Sequence, residues 1–139
     1  MDMQGKRALV TGAAGALGKV IADTFAEMGA DLVLVDRPGT DFAAQVESLS
    51  RHASVSVEVI NCDLESQDDR NALVRATLSR RPDLQVLVNN AAFVGTSGLA
   101  GWALPFEQQT VETWRRAIDV NVTAVFDLCK QFSGALRDG

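Results

Sequence analysis

Short apolar runs alternate along the chain with longer stretches of helical period, and no repeat interrupts them. Arg7–Thr11 (R-A-L-V-T) reads as a first strand, apolar on both faces as a central parallel strand requires. Residues 16–28 predict a helix whose apolar stripe is Leu17, Val20, Ile21, Thr24, Phe25 and Met28, with Gly29 as its stop. A second strand over 31–35 ends at Asp36. Pro38 and Gly39 then break the chain before a helix over 41–51, its inner face built on Phe42, Val46 and Leu49. The valine-rich segment 54–60 predicts a third strand, and Ser66 with Asp69 three residues on marks the start of a helix over 67–79. Pro82 ends it, and 84–88 (L-Q-V-L-V) predicts a fourth strand. After a long loop over 93–109, a last helix opens at Thr110 and continues to about residue 136. Trp114, Ile118, Val122, Val125, Phe126, Cys129 and Phe132 give that helix an apolar surface wider than one face, so it expects cover on two sides.

Strand and helix alternating four times is the pattern of a parallel sheet with helices on both faces. Right-handed crossovers make it an α/β, Rossmann-type, doubly wound sheet of order 3-2-1-4 in one domain, with the switch point between strands one and four. Ligands of such sheets bind at the carboxyl ends of the strands. Residues 11–18, Asp36, Asp63 and residues 89–92 are therefore expected to line one crevice.

Composition narrows the function classes. The 139 residues are 47% apolar and 22% charged, a globular balance for a single domain. The net charge of -5 repels a polyphosphate backbone, which sets nucleic acid aside as a partner. No apolar run approaches the length that crosses a bilayer, and residues 1–4 carry no leader pattern, so a cytoplasmic protein is expected. Cys62 and Cys129 match no C-x-x-C spacing and read as small core residues. The lone His52 has no second ligand beside it in the sequence, so no metal site is expected. Tyrosine is absent from the chain.

The candidate chemistry begins at T-G-A-A-G-A-L-G, residues 11–18, which directly follows a strand and opens a helix. Glycine there permits positive φ and close backbone approach, while the helix start offers free N–H groups and a positive dipole end to a pyrophosphate. Asp36, about 20 residues on at the end of the second strand, is placed to accept from both ribose hydroxyls of NAD and to repel a 2′-phosphate. Arg37 beside it partly offsets that repulsion, so NAD is favoured with NADP as the alternative. Asp63 is placed either to accept from an adenine amino group or to shape its own turn. Asn89 and Asn90 stand where the chain leaves the sheet, able to pin backbone or touch a ribose. Asn121 has Ala117, Ile118, Ala124 and Val125 at its helical neighbours, so it reads as a buried amide in need of a partner, either the backbone one turn back or a functional group.

Five segments, T-G-A-A-G-A-L-G, Asp36, C-D-L at 62–64, N-N-A-A at 89–92 and W-R-R-A-I-D-V-N-V-T at 114–123, resemble in order and spacing the N-terminal portion of the short-chain dehydrogenase/reductases. The resemblance implies that Gly12, Ala14, Gly15, Leu17 and Gly18 cradle the cofactor and that Asp36 holds the adenosine ribose. Asp63 and Leu64 would flank adenine, and Asn90 with Ala91 would meet the cofactor's central region. Asn121 would be the active-site asparagine that positions a water in the proton relay. Two positions depart from the usual pattern: Ala16 replaces the middle glycine of the common loop, and Ala92 the glycine of N-N-A-G. The loop over 93–109 also resembles, more weakly, that of oxidoreductases of flagellin or surface-sugar modification.

The family's hydride chemistry needs a tyrosine acid/base, a lysine four residues later and a serine, all in segments beyond the long helix. With no tyrosine present, the chain is expected to be a cofactor-binding fragment that stops before the fifth strand, inactive alone. In the complete enzyme it would serve alcohol/ketone hydride transfer on a small-molecule substrate. An unpaired edge on the fourth strand and the apolar last helix predict self-association, a homo-oligomer formed through that helix. A catalytically silent dinucleotide-binding or interaction module is the alternative, and a methyltransferase-like sheet a more distant one.

Overall fold

The computed structural model describes residues 2–52, 55–94, 101 and 103–138. Four parallel strands, β1 (Arg7–Thr11), β2 (Asp31–Asp36), β3 (Val57–Asn61) and β4 (Val86–Val88), form one sheet of order β3-β2-β1-β4. The helices are α1 (Ala16–Glu27), α2 (Ala43–Leu49), α3 (Gln67–Arg80), α4 (Val111–Ile118) and α5 (Ala124–Asp138). The doubly wound order predicted from strand and helix alternation is the one observed. The third and fourth strands are shorter than their apolar runs, because only the segment that pairs with a neighbour becomes a ladder. Ser54 lies outside the described residues.

Alternation along the two central strands feeds two cores. Leu9, Val33 and Val35 point to one face, where they join Leu73, Leu84, Leu128 and Phe132 beneath α3 and α5. Ala8, Val10, Leu32 and Leu34 point to the other, against Ala22 and Ala26 of α1, Leu49 of α2 and Phe42 just before it.

Helix α1 corrects the stripe expected from periodicity. Its buried positions are Gly18, Ala22 and Ala26, spaced by four, while Leu17 and Val20 are 63% and 60% exposed. Ile21 and Phe25 only flank the core. The small face is what lets this helix lie close over the glycine turn: a Cβ on Gly18 would fall 2.1 Å from the Gly12 carbonyl oxygen. Size, not hydrophobicity, chose the inner face.

The last helix is also not continuous. Between α4 and α5, residues Asp119–Thr123 form a π-helical turn, with Asn121 at its centre. The exposed apolar residues Val111, Trp114, Ile118, Val122 and Phe126 run down this segment, and Ala117, Ala124, Leu128 and Phe132 are buried beneath it. Cys129, expected in the core, is exposed, whereas Cys62 is buried as expected. In the loop over 93–109, Phe106–Gln108 forms a 3-10 turn, while residues 95–100 and Trp102 lie outside the described residues. Among the described residues, no helix is long and apolar enough to cross a membrane, and no cluster of His, Cys, Asp or Glu could hold a metal ion.

Candidate functional site

At the carboxyl ends of the strands lies a crevice of about 640 Å³. Its floor is the turn between β1 and α1. Gly12 takes φ of +65°, and a Cβ there would meet the Ala91 backbone at 2.8 Å, so two strand exits close on each other at this glycine. The turn closes on itself through the Gly15 N–H, which donates to the Gly12 carbonyl at 3.1 Å. As N-cap, Gly15 has no side chain to satisfy the first turn of α1. Ala16, Leu17 and Gly18 of that turn all line the crevice. Uncapped donors at a helix start, facing a concave space, suit an anion such as a pyrophosphate.

Thr11, at the end of β1, and Asn90, just past β4, lock the floor in place. The Thr11 hydroxyl accepts the N–H groups of Asn90 and Ala91 at 3.0 and 3.1 Å and donates to the Val88 carbonyl at 3.3 Å. In return, the Asn90 amide donates to the carbonyls of Thr11 and Gly12 at 3.0 and 3.1 Å. Of the two roles open to Asn90 in the sequence, the geometry places its amide on backbone. Asn89 instead points its amide toward the Cys129 sulfur at 3.4 Å.

Asp36 forms the second wall. One carboxylate oxygen accepts from the Ala14 N–H at 3.0 Å and the other from the Arg37 N–H at 2.8 Å, so the acid also holds the glycine turn. The Gln45 amide donates to the Ala13 carbonyl at 3.0 Å and holds the turn from behind.

The third wall is the turn after β3. The Asp63 carboxylate accepts from the Glu65 N–H at 3.0 Å and its carbonyl from the Ser66 N–H at 3.0 Å, an Asx turn that leads into the α3 cap. That cap is the predicted one: the Ser66 hydroxyl accepts from the Asp69 N–H at 3.2 Å. Burial, with the Asp69 and Asp63 charges nearby, pushes the adjacent Cys62 thiol up to about 12, so it stays protonated.

Gly12, Ala14, Gly15, Leu17, Gly18, Asp36, Asp63, Leu64, Asn90 and Ala91 all face the same crevice. Asn121 does not. It is exposed rather than buried, and its neighbour Val120 reaches the crevice instead. Its amide oxygen accepts from the Phe93 N–H at 2.7 Å and its nitrogen donates to the Phe93 carbonyl at 3.1 Å. The partner that residue needed is thus the strand β4 exit, not the helix one turn back. A π turn widens the helix by one residue and aims the amide across that gap.

Thr11 was expected at the crevice as the first residue of the glycine motif, but the lock its hydroxyl makes on Asn90 and Ala91 was not. Three participants, Arg70, Arg116 and Glu65, had no strong signal in the sequence. Arg70, 4% exposed, donates to the carbonyls of Leu64 and Glu65 at 2.6 and 3.2 Å and pairs with Asp127 of α5 at 2.7 Å. Arg116 and Glu65 pair across the mouth of the third wall through two contacts of 2.9 Å. In the sequence these are ordinary helix and turn charges, and only the crossover packing brings them together.

Comparison with known proteins agrees with this geometry. The sequence pattern of the short chain dehydrogenase family matches residues 6–139. Glucose 1-dehydrogenase 2 of Bacillus subtilis is 34% identical over 128 residues, 90% of this chain and 46% of that protein. The 7alpha-hydroxysteroid dehydrogenase of Escherichia coli is 32% identical over 128 residues, 92% of this chain and 47% of that protein. The L-sorbose reductase of Gluconobacter frateurii, solved with NADPH and L-sorbose, superposes with a TM-score of 0.86 at 26% identity, covering 99% of this chain and 49% of that one. A metagenomic short-chain oxidoreductase solved with NADP gives a TM-score of 0.84 at 28% identity, over 96% of this chain and 57% of that one. The chain spans about half the length of the curated relatives it matches. A methyltransferase-like reading is set aside by these matches. With the family pattern matched over residues 6–139 and the sheet order shared with its structural neighbours, the chain belongs to the short chain dehydrogenases.

Proposed function

We propose that these 139 residues form the cofactor-binding part of an NAD-dependent alcohol/ketone oxidoreductase and that the crevice holds the dinucleotide. The observation that carries this reading is the uncapped, glycine-floored start of α1 facing Asp36 across one concave space. In this assignment the pyrophosphate lies on the Gly12, Ala14, Gly15, Leu17 and Gly18 turn, the adenosine ribose on Asp36, adenine by Asp63 and Leu64, and the central region by Asn90 and Ala91. When bound, the nicotinamide supplies or receives the hydride. NAD is preferred over NADP because a 2′-phosphate would meet the Asp36 carboxylate, although the structural relatives named above carry NADP or NADPH. Asn121 serves as the active-site asparagine, held by Phe93. A tyrosine acid/base is absent from these residues, so the chain alone binds without turning over.

Calorimetry with NAD and NADP tests the reading. Binding of NAD, weakened about tenfold by Asp36→Ala, supports it; no binding of either, or steady turnover of an alcohol by this chain, overturns it. A second experiment separates it from a silent module: addition of a segment carrying the family's Ser, Tyr and Lys produces turnover only in the first case. We also assign the exposed Val111, Trp114, Ile118, Val122 and Phe126 to a homo-oligomer contact. Light scattering showing a monodisperse monomer at micromolar concentration would refute that assignment.

A further inference from the structure

The wall formed by Asp63 and Leu64 and the π turn that carries Asn121 stand at different sides of the crevice, yet one pair of side chains joins them. Arg116, two residues from the end of α4, meets Glu65 in a two-pronged ion pair with both contacts at 2.9 Å. The same guanidinium carbon lies 5.3 Å from the centre of the Phe93 ring. Phe93 is 2% exposed, lines the crevice, and is the residue to which both polar atoms of the Asn121 amide are bound. Behind this contact, Arg70 fixes the carbonyls of Leu64 and Glu65 and is itself anchored to Asp127, on the helix that follows the π turn. The segment 63–65 is therefore held to α4 ahead of the π turn and to α5 after it.

We propose that the Glu65–Arg116 pair is a positioning device that couples occupancy of the Asp63–Leu64 wall to the orientation of Asn121 through Phe93. The chain of contacts is continuous. A ligand that presses on Leu64 or draws on the Asp63 carboxylate shifts the Asx turn, whose Glu65 N–H is bound to Asp63 at 3.0 Å. Glu65 carries Arg116 with it, Arg116 moves over the Phe93 ring, and the Phe93 peptide sets the Asn121 amide. The ion pair has the right rigidity for this: two parallel contacts fix the guanidinium plane, where a single lysine contact would swivel. Its partial exposure, 36% for Arg116 and 27% for Glu65, leaves the fold little dependent on it. Arg70, by contrast, is buried and serves the fold.

This inference rests on the dinucleotide reading of the crevice, and the test keeps the two apart. The probe is AMP, which carries only the adenosine end of a dinucleotide, added to the full chain while the side-chain amide of Asn121 and the backbone amide of Phe93 are followed by nuclear magnetic resonance. In the unaltered chain, both signals move on saturation with AMP. In Arg116→Ala and in Glu65→Gln, AMP still binds, within about threefold of its original affinity, but the movement at Asn121 falls by about half or more. Exchanging the charges, Glu65→Arg with Arg116→Glu, re-forms the ion pair but leaves no cation over the Phe93 ring, so the movement stays reduced. AMP binding with an unmoved Asn121 signal, or a movement that survives Arg116→Ala undiminished, overturns the coupling alone. Failure of both AMP and NAD to bind the unaltered chain overturns the dinucleotide reading and the coupling with it.

Discussion

The two ends of the parallel sheet are built from the same four strands and opposite materials. At the carboxyl ends, glycine and uncapped N–H groups leave an open crevice. At the amino ends, long charged side chains close the space. Arg7, 4% exposed at the start of β1, donates to the carbonyls of Thr77 and Arg81 at 2.9 and 3.1 Å and pairs with Glu58 at 2.8 Å. Arg81 pairs with Asp31 at the start of β2 and with Asp83 at 2.7 Å. Gln85, ahead of β4, accepts the Arg7 N–H at 2.7 Å. The closed end engages its arginines with its own carbonyls and carboxylates; the open end leaves helix-start donors to a ligand. A parallel sheet aligns all its exits on one side, so function and stability can be separated along the strand direction.

That separation can be broken first at the closed end. Arg7→Met leaves Glu58 with only the exposed Arg80 at 3.4 Å, and we expect a loss of about 4 kcal/mol in urea unfolding. Where the variant is still folded, NAD affinity stays within about twofold, and a larger fall would show that the ends are not independent. Gly18→Ala strikes the open end. Its Cβ cannot fit beside the Gly12 carbonyl, so α1 must shift, costing about 3 kcal/mol and abolishing NAD binding in calorimetry.

Thr11→Val keeps the shape of a side chain only 1% exposed but strands the N–H groups of Asn90 and Ala91, for an expected loss of about 2 kcal/mol with weakened NAD binding. Acid distinguishes the ends more gently. The Arg81 guanidinium holds the Asp83 carboxyl down to about 2 from its ordinary 3.8. At Asp31, burial alone would raise the carboxyl, but the Ser56 N–H and Arg81 outweigh it and lower it. Depressed carboxyls add stability above their unfolded value and lose it as pH falls through the folded one. Stability measured by denaturant should therefore decline between about pH 4 and pH 2, and less steeply in Arg81→Gln. The smallest effect is chemical: at pH 7 a thiol reagent should label exposed Cys129 and spare buried Cys62, whose thiol remains protonated, and labelling of both in the native chain would contradict the packed third wall.

Much of the crevice was legible because its parts are local. A glycine turn between a strand and a helix, an acid at a strand end and a serine cap are each specified within a few residues, and all lie where the periodicity placed them. What was illegible depends on size and on pairing over distance. Leu17 and Val20 kept helical period with Ile21 yet stand outside the core, since only Gly18, Ala22 and Ala26 are small enough for the approach of α1 to β1. The last helix has an unbroken helical pattern, and its π turn holds Asn121 on Phe93, 28 residues back in the chain.

By itself, the sequence determined the order of elements, the sheet that right-handed crossovers make of them, the glycine floor and the acid that faces it, because strand runs, helix starts and turns are set by neighbouring residues. It also determined that no tyrosine stands among these residues. Only the tertiary structure decided that Thr11 and Asn90 lock two strand exits, that Arg7 closes the opposite end, and that Glu65, Arg116, Phe93 and Asn121 form one chain of contacts. Those pairings span dozens of residues, and an ion pair or an amide contact has no signature until packing brings its two halves within reach.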